Sequence, residues 1–174
     1  MPQTLLALVA ILIFSFFALS QHGATADVEQ FAVTAEVELA AQRLARQRLA
    51  EVLARAFDEA DVGLDRARVT PNGLSALGPD DGVLTETTEA DYDDVDDFHG
   101  AGAQPVVAAW MDESIDYWQT TTVRYIDLAT GAPSATPTLA KEVTVEVRAA
   151  PAGFVGAPQI AATLSQIVTP TSQL

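Results

Sequence analysis

From Leu5 to Leu19 the chain reads LLALVAILIFSFFAL, and no formal charge appears before Asp27. At about 1.5 Å per residue a helix over this run covers roughly 22 Å, and one from Pro2 to Gly23 roughly 32 Å, against a bilayer hydrocarbon core of about 30 Å. Keeping these side chains in water would cost on the order of 20 kcal/mol at about 1.5–3 kcal/mol each. They require lipid or protein around them. Asp27 to Asp61 then contains no Pro or Gly and is rich in Ala, Leu, Glu and Arg, good helix formers. Ala41, Ala45, Leu49, Val52, Leu53, Ala56, Phe57 and Ala60 recur at helical spacing, with Val33, Val37, Ala40 and Leu44 leading into the stripe. The expectation is one very long helix, apolar all round in its first half and amphipathic in its second, stopping near Gly63.

Between Asp65 and Gln104 no period survives, and Pro71-Asn72-Gly73, Gly78-Pro79-Asp80, Gly100 and Gly102 mark turns. Beyond Pro105 the preferences are β. Tyr117 to Ile126 is dense in aromatic and β-branched residues, and Lys141 to Arg148 alternates, with Val143, Val145 and Val147 on one face and Glu142, Thr144, Glu146 and Arg148 on the other. Ile160, Ala162, Leu164 and, after an irregularity, Val168 predict a last strand. One-sided alternation implies an antiparallel sheet with one face in water and one covered. The fold class expected is therefore α+β: a long N-terminal helix packed on a C-terminal antiparallel β-sheet. Its parts are an apolar helix over 1–26, an amphipathic continuation over 27–62, an acidic loop region over 63–104 and the sheet over 105–174.

Charge narrows the function classes. Asp and Glu number 24 against 9 Lys and Arg, giving a formal net charge of −15. A field of that sign repels phosphate backbones, which argues against nucleic acid as a partner. Cysteine is absent, which removes disulfides, zinc-thiolate sites and thiol catalysis. Lys141 is the single lysine; every other basic residue is an arginine. Gly73-Leu74-Ser75-Ala76-Leu77-Gly78 lacks nucleophile-elbow spacing, and there is no H-E-x-x-H or Walker A motif, so the reading is not an enzyme.

The loaded motif is the acidic run. Asp91, Asp93, Asp94, Asp96 and Asp97 are candidate ligands for calcium, a hard cation that takes six to eight oxygens, and Ca2+ is the only cofactor considered. The run does not fit an EF-hand, since counting from Asp91 the fifth position is Val95 and the twelfth Gly102. The competing reading is a solvated acidic loop without a local cation. His99 adjoins the run as a further candidate ligand, and Trp110, Tyr117, Trp118 and Tyr125 read as core more readily than as a carbohydrate platform.

A long helix, half greasy and half amphipathic, laid on a C-terminal antiparallel sheet resembles the type IV pilin-like family of pilins, minor pilins and pseudopilins. Asp91-Tyr92-Asp93-Asp94-Val95-Asp96-Asp97-Phe98-His99-Gly100 looks like a motif in minor pilins of the mannose-sensitive haemagglutinin type. Thr122 to Asp127 and Lys141 to Val147 are similar to the closing strands of pseudopilin-like proteins. Gln3-Thr4-Leu5-Leu6-Ala7-Leu8 matches the apolar pattern of the family's mature start, but Ala7 stands where the family carries a glutamate. The residues before Leu5 do not resemble the family's basic leader. The resemblance implies a structural subunit of an extracellular filament, held in the inner membrane before assembly and then bundled with copies of itself and other pilin-like subunits. The filament-core interface would comprise Leu5, Leu6, Leu8, Val9, Ile11, Leu12, Ile13, Phe14, Phe16, Phe17 and Leu19. The alternative is a membrane-tethered or secreted acidic calcium-binding or adhesion module acting as a monomer. A third reading, a cleaved secretory signal ending at Ala24-Thr25-Ala26, lacks a positive n-region in Met1-Pro2-Gln3-Thr4.

Overall fold

The computed structural model of the chain describes residues 2–63, 68–79, 86, 88–110, 113–150 and 159–170. It divides into two units, Met1–Leu39 and Ala40–Leu174. Helix α1 runs from Pro2 to Leu53 without interruption, and Gly23, the residue at which a break would cost least, stays helical. Among the described residues of the first unit this helix is the only element, and its large apolar side chains up to Leu19 are exposed: Leu6, Ile13, Phe14 and Phe16 are 71%, 65%, 72% and 79% exposed.

The second unit begins with the last turns of α1. Ala41, Ala45, Leu49 and Val52 are buried there, as their spacing requires, and Leu44 and Leu53 are half-buried. The helix stops ten residues short of Gly63. Its final turn tightens, with Ala54 N–H shared between the Ala50 and Glu51 carbonyls and Arg55 N–H on Val52 O. Ala56 then leaves the helix and makes a parallel bridge to Asp94, its N–H on Asp93 O at 3.2 Å and its carbonyl accepting from Val95 N–H at 3.0 Å. Ala56 and Phe57 continue the apolar stripe because they are buried, not because they are helical. Asp58 caps a short 3-10 turn, Glu59–Asp61, by accepting from Ala60 N–H.

Four strands, β1 Gln104–Trp110, β2 Glu113–Tyr125, β3 Lys141–Ala150 and β4 Gln159–Val168, form one sheet in that order, each antiparallel to the next. The irregularity expected between Leu164 and Val168 does not occur, since the β3–β4 ladder is regular there; the register shift lies instead at Val147/Arg148, opposite Ala162 and Ile160. Ile115, Tyr117, Val123 and Tyr125 of β2 and Val143, Val145 and Val147 of β3 point inward and are buried. The other face presents Thr122, Arg124 and Arg148 to solvent and half-buries Glu142, Thr144 and Glu146. The end of α1 lies on the inner face, where Gln119 Nε2 donates to Leu44 O at 3.3 Å and Arg48 Nε to Thr121 Oγ1 at 3.3 Å. The α+β arrangement with a long N-terminal helix and a four-stranded antiparallel sheet is thus the observed one.

Candidate functional site

Two features carry chemistry or contact, one in each unit. In the first unit, Leu6, Leu8, Val9, Ile11, Leu12, Ile13, Phe14, Phe16, Phe17 and Leu19 are exposed without exception; the side chain of Leu5 lies outside the described residues. The helix is long and apolar enough to cross a membrane, and no part of its apolar window is buried by the rest of the chain. Exposed apolar surface on this scale marks a contact with lipid or with another protein.

The second feature sits beneath the sheet, where the acidic run folds inward. Asp96–Phe98 form a 3-10 turn with all three residues buried. Asp94 Oδ1 accepts from the N–H groups of Asp96 and Asp97 at 2.7 and 3.2 Å, and Asp97 Oδ2 accepts from those of Asp93 and Asp94, both at 3.0 Å. The two carboxyls therefore cap each other's backbone, which is why short acidic side chains occupy these positions. Phe98 fills the space below, its ring edge-on to Tyr92 at 5.1 Å and covered by the Arg48 guanidinium at 4.8 Å. Arg48 is itself buried and also reaches Glu89 at 2.5 Å and Glu51 at 3.2 Å.

At the centre is Lys141, fully buried. Its ammonium donates to the carbonyl of Phe57 at 2.6 Å, to Asp58 Oδ2 at 3.3 Å and to Asp96 Oδ1, which accounts for its three protons. The Phe57 and Tyr125 rings lie 4.5 and 5.4 Å from Nζ. Ser75 Oγ lies 2.7 Å from Asp96 Oδ2 and 3.1 Å from Asp58 Oδ2, and Asp58 also accepts from Ser75 N–H at 3.1 Å. The Tyr125 hydroxyl donates to Ser75 O at 3.1 Å. Burial pushes the Tyr125 hydroxyl above the ordinary tyrosine range, helped by the negative charges of Asp96 and Asp58. Asp94 is pushed up to about 9, first by burial, then by the charge of Asp96 and a hydrogen bond to it. Near neutrality its carboxyl holds a proton.

This arrangement corrects the picture of a solvated acidic loop without a cation. Asp94, Asp96 and Asp97 are buried, and the cations come from distant parts of the chain, Arg48 on α1 and Lys141 on β3. The five acidic residues singled out by sequence are split between roles. Asp94 and Asp97 cap backbone, Asp96 meets Lys141, and the exposed Asp91 accepts from Thr88 N–H and Oγ1 at 3.0 and 2.8 Å. Asp93 lies in a three-carboxylate group that could hold a metal ion, one oxygen from each of Glu59, Glu86 and Asp93 lying within 4.8 Å of the others, with Glu59 at the surface and the other two half-buried. His99 is half-buried, and its Nδ1 has no hydrogen-bond partner among the described residues. Tyr117 and Tyr125 are core and Trp118 is half-buried, while the side chain of Trp110 lies outside the described residues.

Sequence reasoning did not find Lys141, Asp58 or Ser75. The signal available was periodicity. Lys141 falls two residues before Val143, on the apolar face of an alternating strand, and is the sole lysine. Comparison with known protein families, with curated proteins and with solved structures finds no match.

Proposed function

We propose that the chain is a membrane-anchored structural subunit of a pilin-like filament, held together through the apolar half of α1. The observation that supports this reading is the all-round exposure of the apolar side chains between Leu6 and Leu19. Transfer from a bilayer into a bundle of like helices keeps those side chains buried throughout, so assembly need not expose them to water. Ala7, Ala10, Ser15, Ala18 and Gly23 allow close helix approach in such a bundle, and a Cβ built at Gly23 meets nothing within 4 Å in the chain itself.

The test is deletion of residues 5–19 in the producing cell, with membrane fractionation and negative-stain electron microscopy. The expected result is loss of the chain from the membrane fraction and loss of filaments containing it. Filaments of normal abundance after the deletion would refute the assembly role. A wild-type chain that stays in the membrane as a monomer would instead favour a tethered module acting singly.

A further inference from the structure

The single lysine of the chain occupies the most deeply buried cationic position among the described residues. Arginine suits a buried ion pair better, being planar, weakly hydrated and able to form several hydrogen bonds at once. Arg48 shows that this chain uses it so, against Thr121, Glu51 and Glu89. Lysine has one property arginine lacks: its amine can release a proton and become a nucleophile.

The surroundings of Nζ supply the other requirements of that chemistry. An electrophilic carbon is in reach, since Nζ touches Asp96 Oδ1. A second carboxyl, Asp58, also touches Nζ, and it is held in position by the N–H groups of Ala60 and Ser75. The Ser75 hydroxyl lies against the far oxygen of Asp96 at 2.7 Å, where it can steady negative charge that develops there. Water is excluded: the side chains of Lys141, Asp58 and Asp96 are 0%, 0% and 2% exposed. Groups held in contact in a dry site react with effective concentrations that reach about 10⁵ M or more. An ion pair here carries the desolvation cost of both charges, and an amide in its place carries neither charge.

We propose that Lys141 and Asp96 condense to an intramolecular amide linking β3 to the acidic turn. The balance is internal. Asp58 takes a proton from the ammonium, the freed lone pair of Nζ attacks Cγ of Asp96, and the N–Cγ bond forms as one Cγ–O bond breaks. Of the three protons on the ammonium, one remains on the amide nitrogen. The other two leave with the departing oxygen as water, one of them having rested on Asp58. The positive and negative charges cancel, and no oxidant or co-reactant is needed. Asp96 is the electrophile because Nζ lies on one of its oxygens and the Ser75 hydroxyl on the other, and Asp58 is the acceptor because its Oδ2 faces Nζ at 3.3 Å.

The test is mass spectrometry of the full chain purified in detergent and denatured, followed by a tryptic map. The amide removes one water, about 18 Da, from the intact mass. In the map, Lys141 remains uncut and residues 69–124 stay joined to residues 125–148. Lys141→Arg restores the full mass. Asp58→Asn keeps an oxygen for the Ala60 and Ser75 N–H groups but cannot take the proton, and it should slow closure by on the order of a hundredfold. A wild-type map with a free peptide over residues 125–141 overturns the proposal. Complete closure in Asp58→Asn at the wild-type rate overturns the role given to Asp58.

Discussion

Replacing Asp94 by asparagine isolates the cost of burying an acid. The Asp94 carboxyl sits under Asp96–Phe98 at 1% exposure, and burial and its neighbours hold its pKa at about 9 against 3.8 in an open chain. Between those values the folded chain keeps a proton that the unfolded chain has released. Stability therefore falls as pH rises, by about 1.4 kcal/mol per pH unit for one proton. Below about pH 4 both states are protonated, and the contribution of this group is constant. Asparagine mimics the protonated acid: its Oδ1 can accept from the N–H groups of Asp96 and Asp97, and its Nδ2 can donate toward Asp96. The measurement is urea unfolding of both chains in a non-ionic detergent at pH 5, 6, 7 and 8, followed by tryptophan fluorescence. Asp94→Asn should gain on the wild type by up to about 3 kcal/mol between pH 5 and pH 7, two units at the slope above. Parallel profiles, or a wild type that gains on the variant as pH rises, would refute the reasoning by showing Asp94 ionised in the fold. Burial, the largest cause, acts whether or not Asp96 keeps its charge, so the sign of the effect survives amide closure.

Phe98→Ala empties a fully buried site and removes both the Tyr92 edge contact and the Arg48 stacking, so it should cost about 3–5 kcal/mol in the same unfolding assay. Phe98→Leu, which keeps most of the volume, should cost clearly less. The Arg124–Glu142 pair on the outer face of the sheet, with its arginine exposed and its glutamate half-buried, gives the contrast: Arg124→Ala should change stability by less than about 1 kcal/mol, and that small loss should shrink in high salt.

The legible parts of the fold were those where a period ran long enough to count. The apolar front of α1 and the alternation from Lys141 to Arg148 both translate directly into burial or its absence. The end of α1 was not legible, because Ala56 and Phe57 keep the helical spacing while their backbone turns to pair with the acidic run. Strand β1 gave little signal, since Gln-Pro-Val-Val-Ala-Ala-Trp mixes a proline and two alanines into a short run at the edge of the sheet. The buried cluster was hidden for a different reason. Its members, Asp58, Ser75, Asp96 and Lys141, lie on four separate stretches, and no local rule brings an aspartate in the turn to a lysine 45 residues later. Charge counting within the acidic run suggested solvent because the neutralising cations are not in the run.

Shutting the only lysine inside the sheet unit leaves that unit with no accessible side-chain amine. Coupling reagents that seek primary amines, from fluorescent esters to biotin tags, would find no side chain to modify on its surface. Aldehyde fixation through lysine bridges would fail to knit neighbouring copies together. The abundant carboxylates offer labels and tethers another route.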